Sequence, residues 1–319
     1  MNVLEDFFLT SVSGRIPSDA PGGAQTQAGQ AAPNPLGPLA LLPGTWKGRG
    51  FNQIWRPFHG SQDRFLELNE TIETLEFDAI PGDIPNRGFL QDDVNLHGLR
   101  YLQQIQDAHV RGPNGKLAGI HIEPGLWVST PKTTNPQDAA TVARLANIPH
   151  GTTLLAQGSA FPMIHHAPPI APVSITPFAI DPPHKPFAFP ETNLAASSQF
   201  RTPPGDIPNV TQAMVDNPNI VLSQAIAAQN IISTTTLKIS TLPLNPPTSG
   251  GGTSNIAFLQ GAAGGPNAKA SKVDSIFWIE TVKQANGTIR HQLQYTQTVL
   301  LDFNGLSWPH VSVATLVKQ

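Results

Sequence analysis

Cysteine is missing altogether from the 319 residues, which excludes disulfides, thiolate metal centres and cysteine nucleophiles. Charge is scarce as well. Asp, Glu, Lys and Arg together make up 13% of the chain, about half the share of an average globular domain. The formal net charge of -3 comes without a basic cluster, so the footprint expected of a nucleic-acid or anionic-surface binder is lacking. No apolar run approaches the roughly 18 residues that a membrane-spanning helix needs. The opening MNVLEDFFLTSVSGR sets acidic residues before a very short apolar run, which reads as neither a signal peptide nor a span. A soluble, cytoplasmic protein is the expectation. A P-loop, a dinucleotide glycine fingerprint, a Gly-x-Ser-x-Gly elbow and a His-Glu-x-x-His helix are likewise absent from the sequence.

What the chain has in quantity is punctuation: 32 prolines and 27 glycines, spread without a fixed period. That composition fits strands joined by rigid turns rather than a helical bundle, and a single large domain with an insertion accounts for the length. The stretch LLPGTWKGRGFNQIWRP, residues 41–57, reads as a first strand. Its glycines let neighbouring backbone approach closely, and Trp46 plugs one end of a closed sheet. Residues 1–40 read as an N-terminal extension: a short helix over 1–13 with Leu4, Phe7 and Phe8 on one side, then a Pro/Gly-rich linker or wrap.

Period-2 alternation predicts further strands over Arg64–Phe77, Asn95–Asp107, Leu117–Ser129 and Thr152–Ser159. Asn114-Gly115 makes a hairpin of the second and third of these. In the returning strand His121, Glu123 and Trp127 share one face, and Ile120, Ile122 and Leu126 the other. Asn135-Pro136 reads as a helix start, with the helix running to about Ala146. Residues 160–232 form a Pro-stiffened excursion with helices near Val210–Val215 and Asn217–Gln229. The hexapeptide PGDIPN occurs at 81–86 and again at 204–209, read as one turn chemistry used twice. Strands resume at Ser233–Leu242, followed by a flexible GGGTSN loop, and continue at Lys272–Lys283, Thr288–Leu301 and Leu306–Lys318. The last two hairpins turn on Asn286-Gly287 and Asn304-Gly305. In Thr288–Leu301 the residues Ile289, His291, Leu293, Tyr295, Gln297, Val299 and Leu301 share one face. Arg290, Gln292, Gln294, Thr296, Thr298 and Asp302 share the other, which is assigned to water. The sum is a mainly β chain, a single antiparallel barrel of about ten strands over 41–319 with an insertion at 160–232.

Three segments carry a family resemblance. Gly44-Thr45-Trp46-Lys47-Gly48-Arg49-Gly50, the run Gly119 to Trp127 (GIHIEPGLW) and the ending Trp308-Pro309-His310-Val311-Ser312-Val313-Ala314-Thr315-Leu316 are similar to the nitrobindin family. Those proteins are fatty-acid-binding-protein-like, ten-stranded barrels that hold haem through a histidine near the C-terminus. The resemblance implies a lipocalin-like barrel, haem as the ligand, His310 as the iron ligand, and chemistry on nitric oxide, peroxynitrite or peroxide.

From the residues themselves, His121 and Glu123 stand two apart on a strand and so point the same way, either as an acid/base pair or as a hydrogen-bonded pair of the barrel wall. His291, Tyr295 and Gln297 lie on the inner face of the best strand, where they either orient a ligand's polar end or form a satisfied network. Trp46 joins the candidates for lining a cofactor pocket, and His310 is either a ligand to iron or a strand-end histidine beside Trp308. His165-His166 are adjacent in an extended segment and point apart, which speaks against zinc. Three readings stay open. One is a barrel enclosing a hydrophobic small molecule, haem first. Another is a cofactor-free enzyme that moves protons through His121, Glu123, His291 and Tyr295. The third is a filled barrel serving assembly, its Pro-rich arm gripping a neighbouring copy.

Overall fold

Strand β1, Gly44–Arg56, is long enough to cross a barrel wall obliquely and pairs on both sides, with β2 (Phe65–Ala79) and with the last strand, β13 (Leu306–Lys318). The computed structural model describes residues 34–58, 64–164, 166–243, 249–260 and 267–319. Between β2 and β13 lie β3 (Ile84–Asn86), β4 (Val94–Arg111), β5 (Leu117–Thr130), β6 (Thr141–Ile148), β7 (Thr152–Ile164), β8 (Phe178–Ala179), β9 (Ile231–Ser240), β10 (Gly252–Asn255), β11 (Lys269–Lys283) and β12 (Ile289–Phe303). The antiparallel order β1-β2-β4-β5-β6-β7-β9-β11-β12-β13 returns to β1, so ten strands close a barrel with no free edge strand among them. The short β3, β8 and β10 are paired onto β4, β13 and β7. Closure of this kind is that of lipocalin-like and fatty-acid-binding-protein-like folds.

Hairpin chemistry sets the register where the sequence places it. Asn304 and Gly305 both take positive φ, 49° and 75°, the primed geometry that matches the twist of β12 and β13. At the other two hairpins only the glycines, Gly287 and Gly115, take positive φ, 84° and 74°, as in a type I turn followed by a glycine bulge.

The barrel carries two cores. Inside, Trp46, Phe77, Leu99, Tyr101, Trp127, Phe277, Leu293, Tyr295 and Leu316 pack into one cluster that fills one end of the lumen. Leu36, Leu39 and Leu42 seal that end from above, and Trp46 donates its indole N–H to the Leu42 carbonyl at 2.7 Å. The last part of the stretch assigned to a linker, residues 34–40, is therefore a cap, because three leucines find an apolar floor there. The short helix expected over 1–13 lies outside the described residues.

Outside, the insertion covers the opposite face of β1, β2, β11, β12 and β13. Ile175, Phe189, Ile207, Val215 and Leu222 pack on Trp55, Leu66, Leu68, Trp278, Trp308, Val311 and Val313. Trp308 stacks on Phe303 at 4.7 Å and on Phe189 at 5.2 Å, and Trp55 donates to the Ile175 carbonyl at 2.9 Å. Each large side chain removed from water in this way contributes roughly 1.5–3 kcal/mol. The two helices of the insertion are α1 (Gln212–Asp216), capped by the Thr211 side chain, and α2 (Ile220–Ile226).

Three expectations are corrected. Residues 135–146 do not form a helix: Thr141–Ile148 is β6, pinned between β5 and β7, with Val142, Arg144 and Ala146 turned inward. The GGGTSN loop is in part a strand, β10, because it finds an edge on β7. The face of β12 assigned to water is covered: Gln292, Gln294 and Thr296 are buried, with Gln294 donating to the Leu222 carbonyl at 3.0 Å and Thr296 to Asn219 at 2.6 Å. Amide and hydroxyl side chains that bond to the insertion and to β11 read, in sequence, like a solvated face. No helix among the described residues is long and apolar enough to cross a membrane.

Candidate functional site

At the end of the lumen away from the aromatic plug, six strands turn polar side chains inward. Asn52 comes from β1, Asn69 from β2, Gln103 from β4, His121 from β5, Tyr295 and Gln297 from β12, and His310 and Ser312 from β13. With Glu67 of β2 and with Ile54, Ile105 and Ile120 they surround a cavity of about 110 Å³. Strand alternation brings them together, since residues two apart share a face. The register does the rest by setting Gln297 opposite Ser312 and Val299 opposite His310.

Beneath the cavity lies a buried ion pair. Arg144 and Glu123 are 1% and 0% exposed; the guanidinium donates to Glu123 Oε1, to the Tyr101 hydroxyl at 2.8 Å and to Gln297 Oε1 at 2.6 Å. Tyr101 in turn donates to Glu123 Oε1. Burial opposes ionisation of Glu123, but Arg144, with help from His121 and Tyr101, outweighs it and holds the carboxyl down to about 2. The same contacts raise the Arg144 pKa against its burial. Gly125 makes this packing possible, because a Cβ there would stand 2.5 Å from the Tyr101 ring.

A second buried carboxyl has no cation. Glu73 accepts from Tyr295 at 2.6 Å and from Thr71 at 2.7 Å, with Gln103 at 3.5 Å. Burial pushes its pKa up against those hydrogen bonds. The Tyr295 hydroxyl is pushed well above its ordinary value by burial and by Glu73, so it remains a neutral donor. Gly50 leaves the space for Glu73, whose Oε1 would stand 2.8 Å from a Cβ at that position.

His310 is deeply set, with part of its ring facing the cavity. Burial, with smaller contributions from His121 and His150, lowers its pKa to about 3, which keeps the imidazole neutral. Its Nε2 lies 2.6 Å from Asn52 Oδ1. His121 Nε2 lies 3.3 Å from Glu123 Oε2, and its ring meets that of His150 at 5.4 Å where the wall is open. The β5 ladder to β6 ends at Gly125, since Pro124 has no N–H to continue it.

No family model, curated protein or solved structure matches this chain. The barrel itself stands on its strand order, and no match supports the narrower likeness to nitrobindins.

Of the residues singled out in the sequence, His121, Tyr295, Gln297 and His310 line the cavity, and Glu123 sits directly behind His121. Trp46 and His291 are at the sealed end, outside the cavity lining. Lys318 lies over the Trp46 ring at 5.4 Å and also depresses the His291 pKa, after burial. A strand crosses the whole barrel, so residues sharing its inner face need not share a site. The sequence reading missed Arg144, hidden in a supposed helix, and Glu73, hidden in an acidic alternation assigned to one wet face. It also missed Asn52, Asn69 and Asp107; their one sequence signal was their place in inward phase.

Enclosed ligand sites for molecules of drug size run to roughly 300–1,000 Å³, whereas the cavity holds about 110 Å³. The residues in this arrangement do not fit an enclosed porphyrin. Among the described residues no cluster of three His, Asp or Glu side chains is placed to hold a metal ion, and His165 lies outside them.

Proposed function

We propose that this protein is a small-molecule-binding barrel whose ligand occupies the His121/His310 cavity. One observation carries the reading. In a lumen otherwise packed with its own side chains, polar residues from six strands surround one space of about 110 Å³ that their mutual hydrogen bonds do not close. A polar cavity of this size, walled in part by three isoleucines, suits a compact amphipathic guest. The acid/base reading finds less support. Glu123, held near 2 by Arg144, is a poor proton acceptor near neutral pH, and Tyr295 is a poor proton donor.

The test is a fragment screen by amide NMR on the intact chain. Binders are expected to move signals from β1, β4, β12 and β13 around Asn52, Ile105, Gln297 and His310. The variant Ile105→Phe, which fills the cavity from its apolar side, should abolish those shifts while the remaining spectrum stays folded. Binders that perturb only the outer surface would overturn the assignment. In parallel, hemin titration should give no stoichiometric Soret band that depends on His310; a band lost in His310→Ala would restore haem.

A further inference from the structure

The cavity wall contains a hydrogen-bond relay whose direction is set by chemistry. Asp107 Oδ1 accepts the backbone N–H groups of His109 and Val110, both at 2.8 Å. The other carboxyl oxygen, Oδ2, accepts from the amide nitrogen of Asn69, at 2.9 Å. Asn69 Oδ1 then faces Asn52, which must donate through Nδ2, at 3.0 Å. That leaves Asn52 Oδ1 facing His310 and Ser312, at 2.6 and 2.8 Å. His310 Nε2 must therefore carry the hydrogen. A neutral imidazole protonated on Nε2 has its lone pair on Nδ1, and Nδ1 has no hydrogen-bond partner among the described residues.

Gln297 is the complement. Its Oε1 is taken by Arg144 and Ser275, and its Nε2 is uncommitted among the described residues. Gln297 and His310 are diagonal neighbours across the β12–β13 pair, a spacing of about 7–8 Å, so one ligand oxygen can reach both side chains. Among the described residues no lysine or arginine lines the cavity; its one lining carboxylate, Glu67, is paired with Arg56 at 2.6 Å, His121 lies against Glu123, and the Arg144 guanidinium behind is spent on Glu123, Tyr101 and Gln297.

We infer that the cavity selects small, electrically neutral molecules bearing a hydroxyl on an apolar body, phenols being the simplest class, with the O–H given to His310 Nδ1 and the oxygen accepting from Gln297 Nε2. Carboxylates are rejected because they bring a charge that finds no free cation and an acceptor where His310 also accepts. The size agrees: an apolar cavity of about 150 Å³ admits benzene in another protein, and this one is of similar order at about 110 Å³. The inference rests on the binding reading above.

The experiment compares phenol, anisole and benzoate as probes of the full chain by calorimetry, together with a long-range ¹H–¹⁵N spectrum of the histidine rings. Phenol should bind at least tenfold more tightly than anisole, benzoate should not bind, and the His310 spectrum should show hydrogen on Nε2. In Asn69→Leu, which cuts the relay, the preference for phenol over anisole should fall toward unity. Should that variant not fold, the tautomer and the probe series in the native chain decide the matter. Equal binding of phenol and anisole, tight benzoate binding, or hydrogen on Nδ1 would overturn the class while leaving a binding barrel. Failure of phenol and anisole alike in the cavity would remove the binding reading as well.

Discussion

Glu123 and Arg144 are a buried pair whose worth lies in being complete. Each alone would leave a charge without water or counter-ion, so Glu123→Gln or Arg144→Met should cost about 3–5 kcal/mol of unfolding free energy in a urea titration. Replacing both with apolar residues of similar volume should cost much less than the sum, since no orphan charge remains. Glu280 differs because it has no cation. It is buried on the outer side of β11 and accepts from Gln292 at 2.7 Å, its Oε1 has no partner among the described residues, and burial, opposed by that hydrogen bond, raises its pKa to about 7. An acid whose pKa is higher folded than unfolded favours the native state while protonated. Its contribution is whole below about pH 4.5 and is lost as pH rises toward 7. Glu280→Gln should therefore leave stability unchanged near pH 4 and raise it by the order of 2 kcal/mol at pH 8, as read from thermal unfolding across that range.

At the scale of the element, close approach inside the barrel depends on which glycine is concerned. Gly125 stands against the Tyr101 ring and the Leu145 carbonyl, the latter 2.4 Å from where a Cβ would be, whereas Gly119 on the same strand has nothing within 4 Å. Gly125→Ala should destabilise by about 1–3 kcal/mol, and Gly119→Ala should change stability by no more than about 0.5 kcal/mol. Denaturant melts of the pair separate packing from strand propensity, which the two changes share. The strands with clean alternation, β2, β4, β5 and β12, were legible because period 2 with one buried face is the pattern a barrel wall requires. β6 was not, since eight residues with one arginine fit either a helix or a strand, and only Glu123, Tyr101 and Gln297, brought in by other strands, give Arg144 a reason to point inward.

For the whole molecule, the insertion is the part of the wall that the barrel lacks on its outside. Removing residues 166–230 would bare Trp55, Trp278 and Trp308 together with Leu66 and Leu68, a contiguous apolar face. The truncated chain should associate or aggregate in size-exclusion chromatography and shift its tryptophan emission to the red; a stable monomer would show that the outer core is dispensable. The sequence by itself determined a closed β-barrel, most of its staves, its hairpin turns, and four residues of the cavity lining, because alternation, Asn-Gly turns and the lack of charge are local signals. Which strand end each inward residue occupies was decided only by closure and register. That is why Trp46 and His291 are at the plug while His121 and His310 meet at the cavity. The two PGDIPN segments make the same point: at 81–86 the hexapeptide ends in the short strand β3 on β4, and at 204–209 it begins with a single 3-10 turn. Six identical residues carry identical local preferences, so the difference comes from what each copy finds beside it: 84–86 pair with β4, while no strand pairs with 204–209 among the described residues.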